Sequence, residues 1–224
     1  MRNAMSRTGR SASLGRLVAA ALLIPLIVSC RAGREPPGST AAAGSEPWQR
    51  EALPNHANIV ADLPPLFRQL VAARPPAAAR GRAPSDGELF DPDLLLPGAA
   101  PSPGAYRCRI VRLTAAVARQ ARGSAGARNA FCFVGTDGNR LSLTIETPAR
   151  RLGGYLWATS DQRQLVFLGA EFAPRASTAP PYGDPPSSST AGLFHRIGDF
   201  RYRLVVRGAS PGTIDVYELV AAPA

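Results

Sequence analysis

Two sets of residues have the types and spacing to suggest catalysis. Gly208-Ala209-Ser210-Pro211-Gly212 fits the G-x-S-x-G pattern that can present a nucleophilic serine. That mechanism requires a sharp strand-to-helix elbow. Here the segment lies between two predicted strands and contains Pro211, so it reads as a turn. His195 and Asp199, four apart, have the types of a base and its orienting carboxylate. They fall at a strand end and a turn, with no nucleophile beside them. The other histidine is His56, in an irregular N-terminal part. No phosphate loop or dinucleotide fingerprint occurs. The chain therefore reads as a non-enzyme with no cofactor.

Arginine forms the best polar set. Residues 104–220 hold 15 Arg against 8 Asp plus Glu. Arg107, Arg109, Arg201, Arg203 and Arg207 fall on alternating strand positions, so each strand has an Arg-bearing face. Guanidinium groups suit phosphate and carboxylate. Arg107, Arg109, Arg201 and Arg203 are thus candidate anion-binding residues, and Arg151, in the turn that follows Ile145, is a fifth. The competing reading places them on the solvent face of a sheet. The net charge of +10 is weaker than it looks. Arg2, Arg7, Arg10 and Arg16 lie in a segment expected to be removed, and the chain contains no Lys. Such a balance bears on solubility and not on a specific partner, and no nucleic acid is expected.

The cysteines point to address and stability. Arg2 to Arg16 form a positive stretch, and Leu17 to Val28 an apolar run of twelve residues. Ser29 and Cys30 follow, completing the three-part layout of a signal peptide. The run is shorter than the roughly 20 residues a membrane span needs. Ile27-Val28-Ser29-Cys30 resembles the lipobox of bacterial lipoproteins. That resemblance implies that the Cys30 thiol takes a diacylglyceryl group and becomes the acylated N-terminus. Arg31 after it implies the outer membrane, facing the periplasm. Cys108 and Cys132 then remain. In an oxidising compartment an even pair reads as a disulfide, with two buried free thiols as the alternative. No metal site is expected, since these two cysteines lack a nearby histidine pair.

The elements that must position these groups divide in order. Residues 1–29 are the signal peptide and 30–47 a Pro/Gly-broken flexible tether. Residues 48–103 carry short helices and loops packed on the domain, and 104–224 form a β domain. Leu63, Leu66, Phe67, Leu70 and Val71 lie on one helical face, with Asp62 as the expected cap and Pro64-Pro65 in the first turn. A second turn is expected from Asp91-Pro92 to Pro97-Gly98. From Gly104 the period becomes two: Tyr106, Cys108 and Ile110 alternate with Arg107, Arg109 and Val111. About eight strands with hairpin-length connections follow. The fold class is mainly β, an antiparallel meander forming a small barrel or barrel-like sandwich, with closure favoured at eight strands. Residues 114–129 and 174–190 are long connections; the Pro- and Ser-rich composition of the second favours disorder.

The motifs of the β part resemble a known family. Pro103-Gly104-Ala105-Tyr106-Arg107-Cys108-Arg109 opens the match and Phe131-Cys132 continues it. Phe167-Leu168-Gly169-Ala170, Gly192 to Gly198, Arg201 to Val205 and Ile214 to Val220 follow in order. Together they are similar to the bacterial family known as domain of unknown function 4893. Of that family's T-G-S-Q-R-x-x-G-like turn, Thr147, Arg151 and Gly154 are kept. The resemblance implies an exported β-rich domain with a paired cysteine, and no reaction. Two expectations follow. The first is an envelope lipoprotein, membrane-bound through its lipid, with a structural or protein-partner role. The alternative is a small barrel binding an anionic or amphipathic ligand. The two part at the interior, which Tyr106, Phe131, Phe133, Trp157, Phe167, Phe200 and Tyr202 could fill.

Overall fold

The computed structural model describes residues 46–74, 86–114, 128–148, 150–176 and 178–222. The chain divides into two units, Met1–Ala42 and Ala43–Ala224, and every described residue belongs to the second. The expected signal segment and Cys30 lie outside the described residues, as do most of the tether and of the 114–129 connection.

The period-two pattern folds into eight strands: β1 (Gly104–Thr114), β2 (Arg128–Asp137), β3 (Arg140–Glu146), β4 (Arg151–Ala158), β5 (Gln164–Phe172), β6 (Ser189–Gly198), β7 (Arg201–Arg207) and β8 (Thr213–Ala221). Each pairs antiparallel with the next, and β1 also pairs with β8, closing the barrel. Because strand side chains alternate between faces, one parity fills the interior. Tyr106, Cys132, Leu143, Leu156, Phe167, Phe194, Leu204 and Tyr217, one from each strand, belong to a single packed core. A glycine pair tightens it. Gly154 and Gly169 face each other across β4 and β5; a Cβ on Gly169 would meet the Phe167 ring at 2.4 Å and the Gly153 carbonyl at 2.3 Å.

A disulfide joins Cys108 and Cys132, with Cα atoms 5.9 Å apart. Both side chains are buried, and they fix the parity of β2. With Cys132 and Val134 inward, Phe131 and Phe133 must point out, and they are 54% and 51% exposed. Of the seven aromatics considered for the interior, Tyr106, Phe167 and Tyr202 are there. Phe200 is exposed, and Trp157 packs with the outer core. Phe194 stacks on Tyr202 at 5.4 Å in their place.

Short helices precede the barrel: α1 (Pro47–Glu51), α2 (Pro54–Ala72) and α3 (Asp86–Leu89). They cover the outer faces of β1 and β5–β8 through a second core that includes Leu63, Phe67, Leu89, Leu193, Val205 and Val216. Helix α2 begins at Pro54, not at the predicted Asp62, and Pro64 and Pro65 lie inside it. Pro54 suits a first-turn position whose N–H has no helical acceptor. Buried His56 and Val60 extend the apolar stripe backward, and tertiary packing of that stripe outweighs the bonds the inner prolines remove. The second helical turn is α3, ahead of the predicted Asp91. After it, the Asp91 carboxylate accepts from the Asp93 amide at 2.9 Å, a local bond that competes with helix. The 174–190 connection is described apart from residue 177. Tyr182 anchors it, its hydroxyl 2.6 Å from His56 Nδ1 and accepting from the Leu53 amide.

Candidate functional site

The residues with catalytic spacing do not assemble. Ser210 sits in an exposed turn between β7 and β8, where its carbonyl accepts from the Thr213 amide. Strands flank it on both sides, so it has no nucleophile elbow. His195 is buried on the outer face of β6, whereas exposed Asp199 lies in the β6–β7 turn and pairs with Arg196 at 2.9 Å.

The five candidate arginines do not converge on one site. Arg107 is exposed on β1, directly across from Phe131. Arg109 and Arg201 both bind Glu218, and reach Asp86 and Glu88 respectively, tying α3 to β1, β7 and β8. Burial works against the Arg109 charge, but its hydrogen bonds to Glu218 and Asp86 outweigh this and raise its pKa. Arg151 pairs with Glu146 and donates to the Ala176 carbonyl.

Arg203 differs from the other four. It is 1% exposed. Its Nη1 donates to the carbonyls of Leu89 and Asp91, at 3.2 and 2.6 Å, and its Nη2 to that of Leu94 at 3.4 Å. The Phe67 ring lies 4.9 Å from the guanidinium carbon, within cation–π range. Glu218 is its cross-strand neighbour, but that carboxylate is engaged by Arg109 and Arg201. Burial lowers the Arg203 pKa to about 10 against the pull of Asp91. On its other side Arg203 pairs with His195. Burial and the Arg203 charge lower the His195 pKa to about 3, so its ring is neutral at pH 7. Neither Arg203 Nε nor His195 Nδ1 has a hydrogen-bond partner among the described residues. Both side chains line a cavity of about 60 Å³ between α2, the 92–95 segment and the outer faces of β5–β7.

A second polar cluster sits at the barrel end formed by the β3–β4 and β7–β8 turns. Asp215, 1% exposed, takes a two-point contact from Arg112 at 2.7 and 2.8 Å and a further bond from Arg150. Burial opposes its ionisation, but the two arginines outweigh it and hold the carboxyl below its ordinary value. Arg150 also reaches Glu171 and the Tyr217 hydroxyl. Thr147 shapes the turn that aims it, since its hydroxyl donates to the Arg150 carbonyl at 2.6 Å. Its charges are matched within the cluster, as expected of a structural plug.

On the opposite wall, β2 and β3 contribute no residue to the outer core among the described residues, and β4 meets it at Trp157. Phe131 and Phe133 stand out from it, with Arg107 alongside.

The sequence reading missed the pocket and the plug. The pocket had a signal: His195 and Arg203 share the outward parity of Leu193, Ile197 and Val205, so an apolar outer face needed a cover. The plug had none, because Arg150 lies in a turn and joins Asp215 only through closure. The family described as Domain of unknown function (DUF4893) matches residues 48–219. No curated protein and no solved structure matches the chain.

Proposed function

The chain belongs to the DUF4893 family, and from that premise we propose an exported envelope lipoprotein that works by holding a protein partner, not by catalysis. In this reading Cys30 carries the lipid, and the domain faces the periplasm from the outer membrane. The signal-like N-terminus supports export, and the Cys108–Cys132 disulfide suits an oxidising compartment. The carrying observation is the bare wall. Phe131 and Phe133 are each about half exposed on the outer face of β2 beside exposed Arg107. Aromatic residues with arginine are the composition of interface centres. A partner segment presenting apolar side chains around a carboxylate complements that wall. The packed interior favours the wall over the lumen as the place of contact.

A photo-crosslinking residue at position 133 of the full chain, expressed in its own envelope, tests this. One protein adduct is expected at 133, absent at a control position such as Arg163 and weakened by Arg107→Glu. Adducts equal at both positions, or none at 133, would remove the partner reading. An adduct of twice the chain mass would make the partner a second copy.

A further inference from the structure

We propose that the pocket between α2 and the outer faces of β6 and β7 binds a small monocarboxylate. This site is independent of the partner wall. The carboxylate contacts Arg203 Nε and His195 Nδ1, and the apolar end rests on Leu63, Leu193 and Val205. The side chains of these five residues line one cavity, and the two nitrogens are buried with no hydrogen-bond partner among the described residues.

Three observations choose the ligand. The first is charge. The structure buries the Arg203 cation with only carbonyl acceptors on its Nη atoms, and a buried charge without a matching partner is costly. The other cation of the lining, Arg68, is exposed and paired with Asp93, so one buried cation beside a neutral imidazole matches one negative charge, not two. The second is the donor pattern. Nε of Arg203 is a fixed N–H donor, and a neutral histidine donates from Nδ1 in one of its tautomers. Two donors on neighbouring strands suit the two oxygens of a carboxylate. The third is the remaining lining. Leu63, Phe67, Leu193 and Val205 surround the polar pair, which favours a ligand with an alkyl stub over inorganic phosphate. At about 60 Å³ the space lies far below the roughly 300–1,000 Å³ of drug-sized sites. It fits a ligand of a few heavy atoms.

The test uses the full chain in non-ionic detergent at pH 7, with sodium formate, acetate, propionate and pivalate as probes and chloride and phosphate at matched ionic strength. Saturable thermal stabilisation is expected with acetate and propionate, with saturation transfer from protein methyl groups to the acetate methyl. Arg203→Met should abolish both. Stabilisation equal in acetate and chloride, or acetate binding retained in Arg203→Met, overturns the proposal. So does the absence of any acetate effect, which would make water the occupant. If Arg203→Met does not fold, the wild-type size series decides: pivalate is expected not to bind, and pivalate binding as well as acetate overturns the site.

Discussion

The two halves of this barrel wall are built differently. Strands β5–β8 are buried on both faces, one against the interior and one against α2 and α3. Strands β2 and β3 are buried on one face and wet on the other. Leu143 and Ile145 are buried, whereas Glu146 is exposed and Thr144 half-buried. Sequence registers the difference. Leu165-Val166-Phe167-Leu168 is a continuous apolar run, and Leu141 to Glu146 alternates, as expected for strands covered on two faces and on one. The covered half holds the buried Arg203–His195 pocket. The bare half holds exposed Phe131 and Phe133 and, inside, the Cys132 end of the disulfide.

Cutting the cover should have the largest effect. Phe67→Ala removes a ring that is 4% exposed and rests over Arg203. A loss of about 3–5 kcal/mol is expected, read from urea unfolding. Phe133→Ser on the bare wall should stay within about 0.5 kcal/mol. A loss at Phe133 equal to that at Phe67 would erase the distinction between the halves.

The bare half relies on its covalent bond. Replacing Cys108 and Cys132 with Ser opens a loop of sequence separation 24 and should cost about 3 kcal/mol. Hydrogen exchange should speed up first along β1–β2, with β6 and β7 protected longer. Uniform loosening would show that the two halves unfold as one.

The covered half should carry the acid sensitivity. Burial lowers the pKa of His195, under that cover, and of His56, buried within α2 beside Tyr182. The unfolded chain therefore takes up protons first as pH falls below the ordinary histidine value. Stability is full above pH 6.5 and declines from there toward about 3, the folded value of His195. Each histidine contributes up to about 1.4 kcal/mol per pH unit. Asp215 adds its own loss only below the ordinary carboxylate range. Urea midpoints between pH 7.5 and 5 isolate the histidines, and His195→Gln should flatten part of the slope. A wild-type slope of zero in that window would mean that the rings titrate alike in the folded and unfolded chain, with no effect of burial.

The meander was legible because hairpin turns such as Asp137-Gly138 and the period of two are local signals. Closure was an inference from strand number, and the β1–β8 pairing bears it out. Pro64 and Pro65 have the pattern of a first turn, but packing of Val60, Leu63 and Phe67 carries α2 through them from Pro54. Parity alone points to Arg107, Arg109, Arg201 and Arg203. Parity separates inside from outside but does not tell covered from bare, and that distinction sends Arg203 under a helix and leaves Arg107 in water. Arg150 and Asp215 meet across the barrel end, a relation that strand spacing does not encode.

The β1–β8 pairing also gives the fold an order in time. The wall cannot close until Thr213–Ala221 has been made, although β1 is among the first strands to leave the ribosome. Contacts between such distant segments form late, because the long loop between them must first be ordered. The Cys108–Cys132 link spans only neighbouring strands, so it can be in place while the rest is still an open sheet. The β1–β2 edge can thus be locked before β8 closes the wall, and a truncation that removes the last strand leaves an unpaired β1 as a template for aggregation.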